Sequence, residues 1–198
     1  MAIDPLAVFH EWFEEARAAG VEAPEAMTVA TADADGRPSA RMLLLKSADE
    51  RGFTFFTGYE SRKGRELAEN PRAALVFYWR PLGRQVRVEG TVRRLPAEES
   101  DAYWATRPPR SRAAAAASRQ SQPIAGRDEL EAEFERLLPG DEVPRPERWG
   151  GYVLEPDAIE LWRHRDDRLH ERVRFTRARE GWVAEQLRSE ERRVGKEC

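Results

Sequence analysis

RMLLLKSADERGFTFFTGYESRK, residues 41–63, is the stretch whose reading decides the fold. Two apolar runs, 41–47 and 52–58, flank the polar tetrapeptide Ala48-Asp49-Glu50-Arg51, which is the pattern of a β-hairpin. A helix is predicted next, with Ser61 as its N-cap, Gly64, Leu67 and Ala68 facing inward, and Asn70-Pro71 as its stop. Its first turn carries Arg62, Lys63 and Arg65, where the helix dipole already presents positive potential and carboxylates are favoured. An anion completes such a turn, and free amides, a hydroxyl and two or three cations together make a phosphate site. The competing reading is a solvated basic turn balanced by Glu60 and Glu66, and this stretch alone leaves both open.

Working outward, residues 5–19 place Leu6, Phe9, Trp12, Phe13 and Ala16 at helical spacing before Gly20. Residues 27–32 and 39–47 read as strands around an Asp35-Gly36 turn, so the run at 41–47 is expected to serve two hairpins. Residues 72–79 and 85–95 are two further strands, the second alternating Val86, Val88 and Val92 with Gly90 as a bulge. Helices follow at 97–106, stopped by Pro108-Pro109, at the alanine run 113–117 with Ser111 as its cap, and at 127–138. A Pro-rich linker at 139–146 returns the chain to strands at 149–152, 158–163, 169–175 and 182–187. Sequential antiparallel strands with late helices predict an α+β fold, a closed or split β-barrel with helices packed around it, in one domain over residues 1–189. The final EERRVGKEC, 190–198, is charged and aperiodic and reads as a foreign or disordered tail.

Composition narrows the function classes. The chain has 198 residues, 35% of them charged, yet its net charge is only −3, so no global field favours nucleic acid. No apolar run approaches the roughly 20 residues that cross a bilayer and no leader opens the sequence, so a cytoplasmic location is expected and no membrane partner. Cys198 is the sole cysteine, and His10, His164 and His170 are scattered, so no metal site is expected. Walker, GxGxxG, HExxH and GxSxG motifs are missing. What remains is a set of cations and hydroxyls beside strands and helix starts. Tyr103 and Arg107 are four apart on one helix face, aimed at the start of the next helix and Ser111, which makes a second anion cup. Packing for Tyr103 and a helix-end hydrogen bond for Arg107 is the alternative.

Seven blocks then fall in one order: RMLLLK, GFTFFTGYESRKGRELAENP, RQVRVEG, YWATRPPRS, RQSQPI, WGGYVLEPDAIELW and RLHERVRF. Together they resemble the pyridoxamine 5′-phosphate oxidase family over residues 4–187. The resemblance implies an FMN-binding split barrel acting as a homodimer. It implies FMN-dependent oxidation of pyridoxamine 5′-phosphate and pyridoxine 5′-phosphate to pyridoxal 5′-phosphate, with dioxygen consumed and hydrogen peroxide released. Carried over by position, Arg41, Met42, Leu43, Leu44, Leu45 and Lys46 lie along FMN with Phe56 and Thr57, while Ser61, Arg62 and Lys63 take its phosphate. Gln85 matches a flavin contact, and Gln120, Ser121, Trp162 and Arg172 match contacts from the neighbouring subunit. Lys46, Tyr103, Arg107 and Ser111 match the substrate phosphate cup, and Arg168 and His170 the catalytic pair that covers the pyridine ring.

Two features sit awkwardly with that pattern. Arg41 and Lys46 are an odd number apart, so a regular strand sends them to opposite faces, and both serve one site only if the strand twists, bulges or ends between them. The basic, tyrosine-bearing arm frequent in the family before the first helix has no counterpart in Met1-Ala2-Ile3-Asp4. Three rivals remain. A relative from phenazine biosynthesis acts on phosphate-free tricyclic substrates, and a flavin- or haem-binding split barrel would only store or sense; the Tyr103, Arg107, Ser111 cup disfavours both. Nucleic acid at residues 163–174 is disfavoured by the interrupting Asp166, Asp167 and Glu171.

Overall fold

The computed structural model describes residues 3–138 and 143–189. The tail at 190–198 and the first half of the 139–146 linker lie outside the described residues. The first helix, α1 (Pro5–Ala18), starts on Asp4, whose carboxylate accepts from the Leu6 N–H at 3.1 Å, with Pro5 pre-set for the first turn. Nine strands form one antiparallel sheet: β1 (Ala26–Ala32), β2 (Pro38–Leu44), β3 (Ser47–Asp49), β4 (Gly52–Gly58), β5 (Arg72–Trp79), β6 (Arg84–Arg94), β7 (Trp149–Arg163), β8 (Glu171–Arg177) and β9 (Trp182–Gln186). The remaining helices are α2 (Arg62–Glu69), α3 (Ala97–Thr106), α4 (Pro109–Ala117) and α5 (Arg127–Leu137).

The strand order is β2-β1-β5-β6-β7-β4-β3, with β8 added to β7 and β9 to β8. β2 and β3 stand at opposite ends of that path, yet only Leu45 and Lys46 join them. Two extended residues reach about 7 Å, so the sheet must curl until its ends meet. The Leu45 N–H donates to Glu25 O at 2.9 Å and the Lys46 N–H to Thr54 O at 2.8 Å, one bond to each side of the seam. This α+β half-open barrel is the split-barrel fold expected, but the first hairpin is corrected. The run at 41–47 is not one strand: β2 pairs with β1, and only Ser47–Asp49 pairs with β4. Seam closure outweighs the continuity of the apolar pattern.

β7 is likewise one 15-residue strand rather than two. Its first half lies between β6 and β4, its second between β6 and β8, and the change of partner falls at the Glu89/Gly90 bulge predicted from Gly90. Phe9, Met27, Val29, Phe53, Phe55, Leu75, Phe77, Val86, Val88, Leu154 and Ile159 fill the barrel, where Phe9 meets Phe53 and Phe77 edge-on at 5.0 and 5.1 Å. A smaller cluster of Trp104, Val143 and Trp149, flanked by Phe56 and Tyr103, seats α3 and α4 against the end of β4.

Candidate active site

The α2 turn is built as its sequence predicts. Ser61 caps the helix: its hydroxyl accepts from the Gly64 N–H at 3.3 Å and donates to Gly58 O at 2.7 Å. Gly64 is required here, because a Cβ would stand 2.1 Å from Tyr59 O. The buried face differs from the expectation, since Ala68 is exposed and Lys63 and Glu66 are buried with Gly64 and Leu67. Lys63 is only 7% exposed, and its ammonium donates to Thr57 Oγ1 at 2.9 Å, Ser61 Oγ at 3.1 Å and Gln120 Oε1 at 3.2 Å. All three acceptors are neutral. Burial first, and the charge of Arg41 second, lower its pKa to about 8, against a smaller opposing pull from Glu66. A buried cation given only neutral partners fits an incoming phosphate.

Behind this turn lies a network that sequence reading missed. Glu66 accepts from Ser39 Oγ at 2.6 Å, Thr31 Oγ1 at 2.5 Å, Arg62 Nε at 2.8 Å and Arg41 Nη2 at 3.5 Å. The balancing role suspected for Glu66 is therefore real toward Arg62, while Arg65 donates instead to the Glu60 carbonyl. Burial opposes ionisation of Glu66, but the hydroxyls of Ser39 and Thr31 and the two guanidiniums outweigh it and lower its pKa to about 2.

A cavity of about 620 Å³ opens beside the turn. Met42, Leu43, Leu44, Lys46 and Phe56 from the barrel line one side, Tyr103, Arg107 and Ser111 from α3 and α4 another, and Gln120 a third. Tyr103 stacks on Phe56 with centroids 3.9 Å apart, Lys46 Nζ lies 5.9 Å from the Tyr103 ring, and the Arg107 guanidinium lies 4.7 Å from Trp149. Arg107 Nη2 donates to the Ser111 carbonyl at 2.9 Å, and burial lowers the Arg107 pKa. Among the described residues neither Lys46 nor Arg107 has a carboxylate partner within 4.0 Å. Ser111 is not a cap as expected; Pro109 at the first helical position starts α4 two residues earlier, on Pro108. The parity problem resolves too. Exposure alternates unbroken through residues 41–46, so Lys46 faces the cavity while Arg41 turns the other way, to Glu66, and the two do not share that cavity. Leu45 does not face the cavity; it is buried in the barrel core.

The other expected residues gather elsewhere. Gln85, Trp162, His170 and Arg172 line a second cavity of about 240 Å³ with Arg87 and Glu160. Arg172 Nε and Nη2 donate to Glu160 Oε1 at 2.9 and 2.8 Å, and His170 Nδ1 accepts from the Arg165 N–H at 3.1 Å. Arg168 lines neither cavity and sits exposed with φ 62°. Gln120 bonds to Lys63, Thr57 and the Gly58 N–H of its own chain, and Ser121 follows at φ 67°. Among the described residues no cluster of three or more His, Cys, Asp or Glu could hold a metal, and no helix is long and apolar enough to cross a membrane.

A curled antiparallel barrel, with a cavity lined by Lys46, Tyr103, Arg107 and Ser111 beside the capped α2 turn, is of the flavin-binding split-barrel class. The chain belongs to the pyridoxamine 5′-phosphate oxidase family: residues 13–139 match the family model for pyridoxamine 5′-phosphate oxidase, and residues 149–188 match that for the pyridoxine 5′-phosphate oxidase C-terminal dimerisation region. The pyridoxine/pyridoxamine 5′-phosphate oxidase of Rubrobacter xylanophilus is 57% identical over 182 residues, which cover 90% of this chain and 84% of that one. That of Janthinobacterium sp. is 52% identical over 187 residues, covering 93% and 89%. Among solved structures, PhzG from Burkholderia lata 383, in complex with tetrahydrophenazine-1-carboxylic acid, superposes with a TM-score of 0.91 at 39% identity, covering 93% of this chain and 92% of that one. An FMN-binding protein from Nostoc punctiforme shares the fold, with a TM-score of 0.77 at 18% identity over 94% of this chain and 98% of that one.

Proposed function

We propose that this chain is an FMN-dependent oxidase that converts pyridoxamine 5′-phosphate and pyridoxine 5′-phosphate to pyridoxal 5′-phosphate. The observation that carries the reading is the second cup: Lys46, Tyr103, Arg107 and Ser111 line one cavity with Met42, Leu43 and Leu44, next to the buried Lys63. Ser61, Lys63 and the first amides of α2 hold the cofactor phosphate, and Lys46 with Arg107 holds that of the substrate. Bound FMN supplies the hydride acceptor for oxidation at C4′ and returns the electrons to dioxygen, giving hydrogen peroxide. The protein's share is alignment. Fixing the substrate phosphate at one end lets the pyridine ring lie along the β2 edge, so orientational entropy is lost on binding rather than in the chemical step. Phe56, Tyr103 and Trp149 stack to wall that region from water.

The site is completed by a second copy of the chain. Register places Leu44 opposite Ala26, Tyr78 opposite Gln85, Gln85 opposite Trp162 and Trp162 opposite Arg172, one row across the outer face of the sheet. At about 4.8 Å per strand, Gln85 and Trp162 stand roughly 14–19 Å along that row from Leu44, so one chain does not bring both cavities to one ligand. Met42, Leu44 and Tyr78 on this face are 61%, 42% and 56% exposed, the kind of apolar surface that a two-fold partner covers. Gln85, Trp162, His170 and Arg172 then face the partner's larger cavity.

A second reading is a phenazine-type oxidase, favoured by the 39% identity to PhzG. One assay separates them: purified protein, yellow from a flavin band near about 450 nm, is supplied with pyridoxamine 5′-phosphate or with tetrahydrophenazine-1-carboxylic acid, and product formation and peroxide are followed. Turnover of the phosphate ester alone supports the proposal. Turnover of the tricycle alone replaces it with the second reading, and a coloured protein that turns over neither is a binder.

A further inference from the structure

We propose that Glu66 is the positioning residue of the cofactor-phosphate cup, holding the guanidiniums of Arg41 and Arg62 beside Lys63. The proposal rests on reading the Ser61–Lys63 turn as the seat of the FMN phosphate. Glu66 is 5% exposed and draws its partners from three elements: Thr31 on β1, Ser39 and Arg41 on β2, and Arg62 on α2. A carboxylate offers about four acceptor sites, and here two hydroxyls and two guanidiniums fill them. Arg41 is fixed from both ends, since its Nη1 donates to Thr31 Oγ1 at 2.6 Å and its Nη2 to Ser39 and Glu66. Arg62 engages Glu66 through Nε alone, which leaves its two terminal nitrogens uncommitted among the described residues.

Charge matching adds an independent argument. Arg41, Arg62 and Lys63 less Glu66 leave the cup at +2, while a phosphate monoester carries about −1.5 to −2 at neutral pH. Without Glu66 the cup is more positive, so simple electrostatics predicts tighter phosphate binding in its absence. Positioning predicts the reverse, because freed guanidiniums lose side-chain entropy each time they close on the anion.

The test is equilibrium titration of the full chain, stripped of flavin, with FMN and with riboflavin, which lacks the phosphate. Wild type is expected to prefer FMN by about a hundredfold or more. Glu66→Gln is expected to lose at least about tenfold in FMN affinity while riboflavin affinity stays within about twofold. Ser39→Ala, which removes one hydrogen bond to the carboxylate and one acceptor of Arg41 without changing the charge, is expected to shift FMN affinity the same way by about threefold, and it serves if Glu66→Gln does not melt as a folded protein. Unchanged or tighter FMN binding in these variants overturns the proposal, as does an equal loss for both ligands. A wild-type protein that does not prefer FMN overturns the phosphate seat itself.

Discussion

In the proposed function Lys63 and Arg107 each meet a phosphate, and burial lowers the pKa of both. The folded protein holds Lys63 with a pKa of about 8, below its ordinary 10.5, so in the anion-free state its proton is released earlier than in the unfolded chain. The unfolding free energy therefore rises as pH passes from about 8 to 10.5, and the full penalty, on the order of 3 kcal/mol, applies below pH 8. Lys63→Met is expected to raise the stability of flavin-free protein at pH 7 by about 1–3 kcal/mol in denaturant melts while costing at least tenfold in FMN affinity. In the wild type, FMN affinity is expected to fall as pH rises above 8, and Lys63→Met removes that dependence. Glu66 adds stability where Lys63 costs it: with its pKa lowered from 4.5 to about 2, its contribution is present above pH 4.5 and lost as pH falls toward 2. For Arg107→Ala, loss of a charge-assisted hydrogen bond of about 1.5–3 kcal/mol predicts a KM for pyridoxamine 5′-phosphate about 10–100-fold higher.

At the scale of elements, α2 and the β2–β3 seam decide where those side chains go. Gly64→Ala forces the first turn of α2 off Tyr59 O; an overpacking cost of about 1–3 kcal/mol is expected in thermal melts, together with weaker FMN binding because the capped turn moves. Sequence pattern alone located β5, α3 and the Gly90 bulge, since each is written in local periodicity or in a glycine that the bend needs. The break after Leu44 was invisible because Met42, Leu43, Leu44 and Leu45 are uniformly apolar, and only the fold assigns Leu43 and Leu45 to the core side and Met42 and Leu44 outward. Ser111 misled for a local reason, the alanine run drawing the helix start past Pro109. The Thr31–Ser39–Glu66 network was illegible because its hydrogen bonds join residues 27 and 35 positions apart, and nothing near Glu66 in the chain marks it as buried. The Ser61 cap was legible because it is a short motif at a helix start, whereas Lys46, Tyr103, Arg107 and Ser111 meet in one cavity from separate segments.

For the whole molecule, the row from Leu44 through Tyr78 and Gln85 to Arg172 lies on one outer face and joins the two cavities that the proposed dimer brings together. Met42→Glu, a charge placed in that face on a residue 61% exposed in the single chain, is expected to shift the sedimentation profile from dimer toward monomer and to release flavin in parallel. A monomer that keeps its flavin would mean that one chain suffices. If Lys46 and Arg107 hold a phosphate ester beside the flavin seat, kcat/KM for pyridoxamine 5′-phosphate must far exceed that for pyridoxamine, with peroxide release as the readout. Two charge-assisted contacts predict a preference for the phosphate ester of about 10²–10⁴. Equal kcat/KM for the two amines would show that Lys46 and Arg107 do not hold a substrate phosphate.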